Sequence, residues 1–248
     1  MKKPLYPAVI FDMDGTILDT LEDLADSVNH VLTERGYPPR SLDEVRMLIG
    51  YGVRNLMAGA LPEEVLASLP DEAGRESLID EVCADMREWY KAHADVKTKA
   101  YEGIPELLLA LREADVRTAV VSNKPDAAVA LLMPRYFPGM FDVARGEQQG
   151  VPRKPAPDGV LAILREWGIP PEKAVYVGDG DTDIQTAQNA GLDLIMVTWG
   201  FRDKTYLAAR GAQVFCETPE ELCQMLLGTP QERTTTDTDG QNREETDK

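Results

Sequence analysis

Two rhythms of hydrophobic residues run along this chain. Short apolar runs at 8–11, 117–121, 174–177, 192–197 and 213–216 have the length and β-branched content of buried strands, with 141–144 a weaker one. Between them, residues 105–114, 125–133, 157–167 and 181–190 repeat apolar positions at helical spacing. Strand–helix alternation of this kind predicts an α/β fold: a Rossmann-like parallel sheet flanked by helices on both faces. The interval 19–96 breaks the rhythm. Leu21, Leu24, Ala25, Val28 and Leu32 mark one amphipathic helix, with Thr20 as a candidate N-cap. Residues 42–49, 52–60 and 77–92 suit further helices, and no strand pattern separates them. This interval reads as a small inserted α-helical cap domain. The expected division is therefore a catalytic core of 1–18 and 97–228, and a cap of 19–96. Chain crossings near Asp19 and near 98–102 would serve as hinges.

The segment 229–248 contains no Val, Ile, Leu, Met, Phe, Trp or Tyr. It has no apolar area to offset its ordering entropy and is expected to be a disordered tail. The net charge of −17 argues against nucleic acid as a partner, because phosphate contacts call for clustered Lys and Arg. Three cysteines (Cys83, Cys216, Cys223) without a CxxC pair suggest reduced thiols. The opening apolar run is only four residues long before Asp12, and no stretch approaches a bilayer span. These features lead to the expectation of a cytoplasmic protein, monomer or homodimer, with no membrane partner.

The first strand delivers Asp12-Met13-Asp14-Gly15-Thr16 into a turn. Side chains two apart on a strand point the same way, so Asp12 and Asp14 can face one reacting centre if strand geometry persists. One carboxylate then serves as nucleophile and its neighbour as general acid and base. Like charges buried together call for a cation. A second acidic cluster, Gly178-Asp179-Gly180-Asp181-Thr182-Asp183, follows another strand and opens a helix. Asp179 and Asp183 lie one helical turn apart, and hard oxygen ligands of this type suit Mg²⁺. Such a loop serves equally as a helix cap, with Asp181 in that role. Ser122 and Asn123 end a third strand with groups able to hold a phosphoryl oxygen, or simply make a turn. Lys154, fixed between prolines, is either a surface lysine or an ammonium that orients Asp12; Lys124 is a weaker candidate for that job. In the cap, Gly50 and Gly52 would let backbone approach a small ligand and Arg54 pair with a carboxylate, or the stretch is a helix-to-helix turn with a surface arginine. His30 and His93 have no motif context.

Taken in order, Asp12-x-Asp14-x-Thr16, Ser122, Lys154 and Gly178-Asp179-x-x-x-Asp183 resemble the four motifs of the haloacid dehalogenase superfamily of phosphohydrolases. The resemblance covers the chain except the tail. The helical insertion looks like the cap of its phosphoglycolate phosphatase and β-phosphoglucomutase branch. Ile49–Arg54, Ser122–Pro125 and Thr198–Arg202 look most like phosphoglycolate phosphatases. The resemblance implies that Asp12 attacks phosphorus to form an aspartyl-phosphate, and that Asp14 protonates the leaving alcohol and then activates water. It implies that Thr16 supports the geometry around Asp14, and that Ser122 and Lys154 hold phosphoryl oxygens. Mg²⁺ would be held by Asp12, the backbone carbonyl of Asp14, and Asp179, with Asp183 close by. The carboxylate at Asp14 favours a phosphate ester or anhydride over a haloacid. The expected reaction is Mg²⁺-dependent hydrolysis of a small phosphorylated metabolite, with 2-phosphoglycolate the first guess. A pyrophosphatase, a broad sugar or nucleotide monophosphatase, a phosphomutase and a non-enzymatic phosphate-binding module remain alternatives.

Overall fold

The computed structural model describes residues 4–228, so the expected tail at 229–248 lies outside the described residues. Six strands form one sheet: β1 (Ala8–Phe11), β4 (Arg117–Pro125), β5 (Val143–Glu147), β6 (Ala174–Gly178), β7 (Asp193–Val197) and β8 (Phe215–Cys216). Every pairing in it is parallel, and the order is β5-β4-β1-β6-β7-β8. The chain winds outward from β1 in one direction and then in the other. The crevice where such an order reverses, beyond the carboxyl ends of the strands, is where open α/β sheets place ligands.

Both faces of the sheet are buried, which is why its strands read as continuous apolar runs. Val9 and Phe11 of β1 join one core with Val120, Val175, Val177, Ile195 and Val197. That core packs on α6 (Ile104–Glu113), α7 (Asp126–Tyr136) and α11 (Pro219–Leu227). Ala8 and Ile10 face the other way, with Ala119, Val121 and Tyr176, against α8 (Asp158–Trp167) and α9 (Asp181–Ala190). The short α10 (Lys204–Ala208) completes the second half. Cys83 and Cys216 are buried thiols.

Helices α1 (Leu21–Glu34), α2 (Leu42–Leu48), α3 (Gly52–Ala60), α4 (Glu63–Ser68) and α5 (Glu72–His93) intervene after β1 and form the cap. Leu21, Leu24, Ala25, Val28 and Leu32 are all buried in its own core, with Leu56, Met57, Val82 and Met86. The two chain crossings pair as a small antiparallel ribbon, β2 (Leu18–Asp19) with β3 (Lys99–Ala100). Asp23, buried in the first turn of α1, reinforces that junction. Its carboxylate accepts the backbone N–H groups of Val96, Lys97 and Thr98 at 2.8–3.1 Å. No described helix is long and apolar enough to cross a membrane.

Candidate active site

Asp12 follows β1 directly, and its N–H donates to Val177 O at 2.9 Å, which carries strand pairing with β6 into the turn. Asp179 follows β6, and Asp183 lies in the first turn of α9. Parallel pairing of β1 with β6 therefore brings the two acidic clusters to the same end of the sheet. One carboxylate oxygen from each of Asp12, Asp179 and Asp183 lies within 4.8 Å of the others, and all three residues are buried. Glycines make this approach possible. A Cβ on Gly15, whose φ is +83°, would sit 2.3 Å from Asp179 Oδ2, and one on Gly178 would sit 2.4 Å from Asp183 Cγ. A Cβ on Gly200 would meet both Asp179 Cβ and the Gly15 carbonyl at 2.4 Å. We expect Gly200→Ala to cost about 1–3 kcal/mol of stability through overpacking and to disturb the carboxylate trio; denaturant unfolding with and without added Mg²⁺ checks both.

The asymmetry of charge here is what a cation would offset. Burial pushes the Asp179 carboxyl up to about 8, with Asp183 and Asp12 adding repulsion. Burial also raises Asp12, against the opposing pull of Lys154. Lys154 Nζ lies 2.8 Å from both Asp12 Oδ1 and Asp183 Oδ1, and also donates to Tyr176 Oη at 3.0 Å. Burial works against that ammonium, but Asp12 and Asp183 hold its proton well above the ordinary lysine range. Even so, Asp12 Oδ1 has no aligned hydrogen bond. Three buried hard-oxygen donors with more negative charge than the one ammonium offsets fit a divalent cation such as Mg²⁺.

Asp14 takes no part in that carboxylate trio. Its Oδ1 accepts from Thr20 Oγ1 at 2.7 Å and from Lys124 Nζ at 2.8 Å. The expectation for Lys124 thus changes: its ammonium serves Asp14, while Lys154 alone reaches Asp12. Thr20 holds the N-cap position of α1 as expected, but its side chain makes no capping bond and turns to Asp14 instead. Thr16, expected beside Asp14, donates to Asp179 Oδ1 at 3.1 Å. Asp181 is not the cap of α9; Gly180 holds that position, Asp183 reaches back to its N–H, and Asp181 accepts from Tyr51 Oη at 2.6 Å.

Asp12, Asp14, Ser122, Asn123, Asp179 and Asp183 line one cavity of about 370 Å³. Its far wall comes from the cap: Gly50, Gly52, Val53, Leu56, Met86 and Tyr90. Ser122 Oγ accepts the Lys124 N–H at 3.2 Å. Asn123 Nδ2 donates at 2.9 Å to both Lys154 O and Gly50 O, tying the core to the cap. Arg54 does not join them. Its guanidinium pairs with Glu76 and Asp80 across α3 and α5, so its charge is already matched on the cap surface. His30 and His93 stack on opposite faces of Trp89, a packing role.

Arg202 has a part that the sequence reading missed. It extends from the loop after β7 and donates to the carbonyls of Arg46, Met47 and Ile49 at 2.6, 3.2 and 2.9 Å. Those are the orphan carbonyls at the end of α2, where a cation is favoured. The preceding residue, Phe201, donates its N–H to Asp179 Oδ2 at 2.7 Å. One loop thus touches both the acidic cluster and the cap.

The model of the haloacid dehalogenase-like hydrolase family matches residues 9–197, which hold every residue of the acidic cluster. The chain belongs to that family. Among relatives of this haloacid dehalogenase-like hydrolase is a phosphoglycolate phosphatase of Rhodobacter capsulatus, 35% identical over 206 residues, spanning 83% of this chain and 90% of that protein. An N-acetylmuramic acid 6-phosphate phosphatase of Pseudomonas aeruginosa is 31% identical over 228 residues, spanning 91% and 97%. The crystal structure of a candidate phosphoglycolate phosphatase from Lactobacillus delbrueckii subsp. bulgaricus superposes with a TM-score of 0.81 at 38% identity. It covers 90% of this haloacid dehalogenase-like hydrolase and 99% of its own chain.

Proposed function

We propose that this hydrolase cleaves 2-phosphoglycolate in a Mg²⁺-dependent reaction that passes through a phosphorylated Asp12. That it is a phosphomonoester hydrolase follows from its family and its phosphatase relatives. The observation that carries the finer reading is the division of labour among four carboxylates. Asp12 sits with Asp179 and Asp183, while Asp14 stands apart in the same cavity.

In this reading Asp12 supplies the carboxylate oxygen that attacks phosphorus, and the ester bond to the alcohol oxygen breaks. Asp14 gives its proton to that oxygen and then takes one from the water that opens the acyl phosphate. Thr20 and Lys124 position Asp14 for both steps. Lys154 orients Asp12, and with Ser122 it offsets negative charge on the phosphoryl oxygens. Asp12, Asp179 and Asp183, with the Asp14 backbone carbonyl, would hold Mg²⁺. The ion would supply charge neutralisation between the anionic nucleophile and the anionic phosphate. Residues 19–96 act as a cap that closes over the cavity, and 1–18 with 97–228 as the core that performs the chemistry. The setting we assign is the cytoplasm, in keeping with reduced thiols.

Phosphate release tests this directly, using 2-phosphoglycolate, N-acetylmuramic acid 6-phosphate, a hexose phosphate, a nucleoside monophosphate and pyrophosphate, with and without Mg²⁺. We expect Mg²⁺-dependent release with kcat/KM highest for 2-phosphoglycolate. Comparable rates across the esters would remove the substrate and keep the phosphatase. Highest kcat/KM for N-acetylmuramic acid 6-phosphate would replace it, and release without Mg²⁺ would overturn the metal.

Unfolding offers a separate test of the metal. The raised Asp179 and Asp12 carboxyls bind protons more tightly folded than unfolded. The metal-free protein should therefore lose stability as pH rises from about 4 to about 8. Mg²⁺ competes with those protons, so its increase in Tm should be larger at pH 8 than at pH 6. An equal shift at both pH values would speak against these ligands.

A further inference from the structure

One wall of the cavity carries more cationic and hydrogen-bonding capacity than the reaction centre uses. Lys124 extends from β4 with its side chain only 2% exposed, and its ammonium touches Asp14 on one side. On another side it lies over the ring of Tyr90, 4.7 Å from the centroid. An ammonium has three donors; one goes to Asp14 Oδ1, and the Tyr90 hydroxyl lies beside the same ammonium. Tyr90 comes from the cap helix α5, is 4% exposed, and lines the same cavity. Its hydroxyl donates to no group among the described residues. A buried phenol whose proton finds no acceptor is costly, and one beside a buried ammonium is placed to donate to an anion. Burial pushes that phenol up to about 12, so it keeps its proton at neutral pH.

We propose that Lys124 and Tyr90 form a second anion subsite, which takes the non-transferring carboxylate of a small phosphorylated hydroxy acid. The inference rests on the proposed phosphatase function and deepens it by assigning selectivity to two residues. Distance sets the size of the substrate. Lys124 Nζ lies 2.8 Å from Asp14 Oδ1, the group that faces the ester oxygen in the proposed reaction. The second anion must then lie only a few bonds beyond that oxygen, as the carboxylate of 2-phosphoglycolate does. A hexose phosphate carries nothing charged at that reach. The subsite is assembled from both parts of the chain, Lys124 from the core and Tyr90 from the cap. Arg54, expected from the sequence to fill this role, is held by Glu76 and Asp80 instead.

The test compares kcat/KM for 2-phosphoglycolate with that for 2-hydroxyethyl phosphate, in which an alcohol replaces the carboxylate, using the full chain with Mg²⁺. The wild type should favour the carboxylate ester. Lys124→Met should lower that preference by about tenfold or more, since it removes a charge-assisted contact. Tyr90→Phe should raise KM for 2-phosphoglycolate by about three- to tenfold, the loss of one hydrogen bond, with a smaller effect on kcat. If Lys124 only positioned Asp14, kcat would fall equally for both esters and the preference would survive. A wild-type preference unchanged in both variants overturns the subsite and leaves the proposed function standing. A wild type indifferent to the carboxylate overturns the substrate and the subsite together. Should Lys124→Met fail to fold, Tyr90→Phe decides between these outcomes.

Discussion

Asp12→Asn should abolish phosphate release at every Mg²⁺ concentration, with the fold intact by circular dichroism and unfolding. An amide cannot attack phosphorus, and Asp12 is the residue that leads from β1 into the acidic cluster. The expected loss is on the order of 10⁶ in kcat, the scale seen when a sole covalent nucleophile is removed. Asp14→Asn should cost less, about 10²–10⁴, because a positioned acid and base assists a reaction that the nucleophile makes possible. The stability prediction runs the other way. Asp12 is a buried carboxyl held above its ordinary range, chiefly by burial, so neutralising it relieves repulsion with Asp183 and Asp14. Metal-free Asp12→Asn should therefore unfold no more easily than the wild type above neutral pH. Measurable turnover in that variant would remove Asp12 as the nucleophile.

Lys154→Met should be among the most damaging single changes to stability. The ammonium lies 2.8 Å from two buried carboxylates, Asp12 and Asp183, and is itself buried. Its removal strands both charges, and breaking a buried pair in this way costs about 3–5 kcal/mol. A methionine fills most of the volume, so the cost is electrostatic and should depend on pH. The deficit should be largest in alkali and shrink as the carboxyls take up protons in acid. Urea unfolding at pH 5 and pH 8 measures it. A deficit that does not vary with pH would mean that Lys154 acts through packing.

The places where the sequence was readable and where it was not have separate physical causes. β1, α3 and α9 occupy the residues that periodicity assigns, because each is bounded by a glycine, a proline or an acidic turn that stops the pattern. β4 runs four residues past its predicted end because Ser122, Asn123, Lys124 and Pro125 stay extended despite their polarity, with a register shift against β5. The ribbon of β2 and β3 is too short to alternate. The acidic residues of the site were legible since each follows a strand; their partners were not. Thr20 and Lys124 are separated by 104 residues yet share Asp14, and no local pattern encodes such a pairing. Arg54 misled for the same reason, because Glu76 and Asp80 lie on another helix. Arg202 closed a family-like stretch, but its role was hidden, as it depends on where α2 ends in space.

The small ribbon of β2 and β3, with Asp23 gripping the returning backbone, has a consequence for how such a protein changes over generations. Departure from and return to the sheet lie side by side. Everything between them is, topologically, a loop on one doorway. Insertions whose ends meet are the kind a folded host tolerates. Helices there can be lengthened, exchanged or rewritten without altering strand order or the acidic cluster at the strand ends. Lineages can thus inherit the bond-breaking apparatus unchanged while revising what they admit to it.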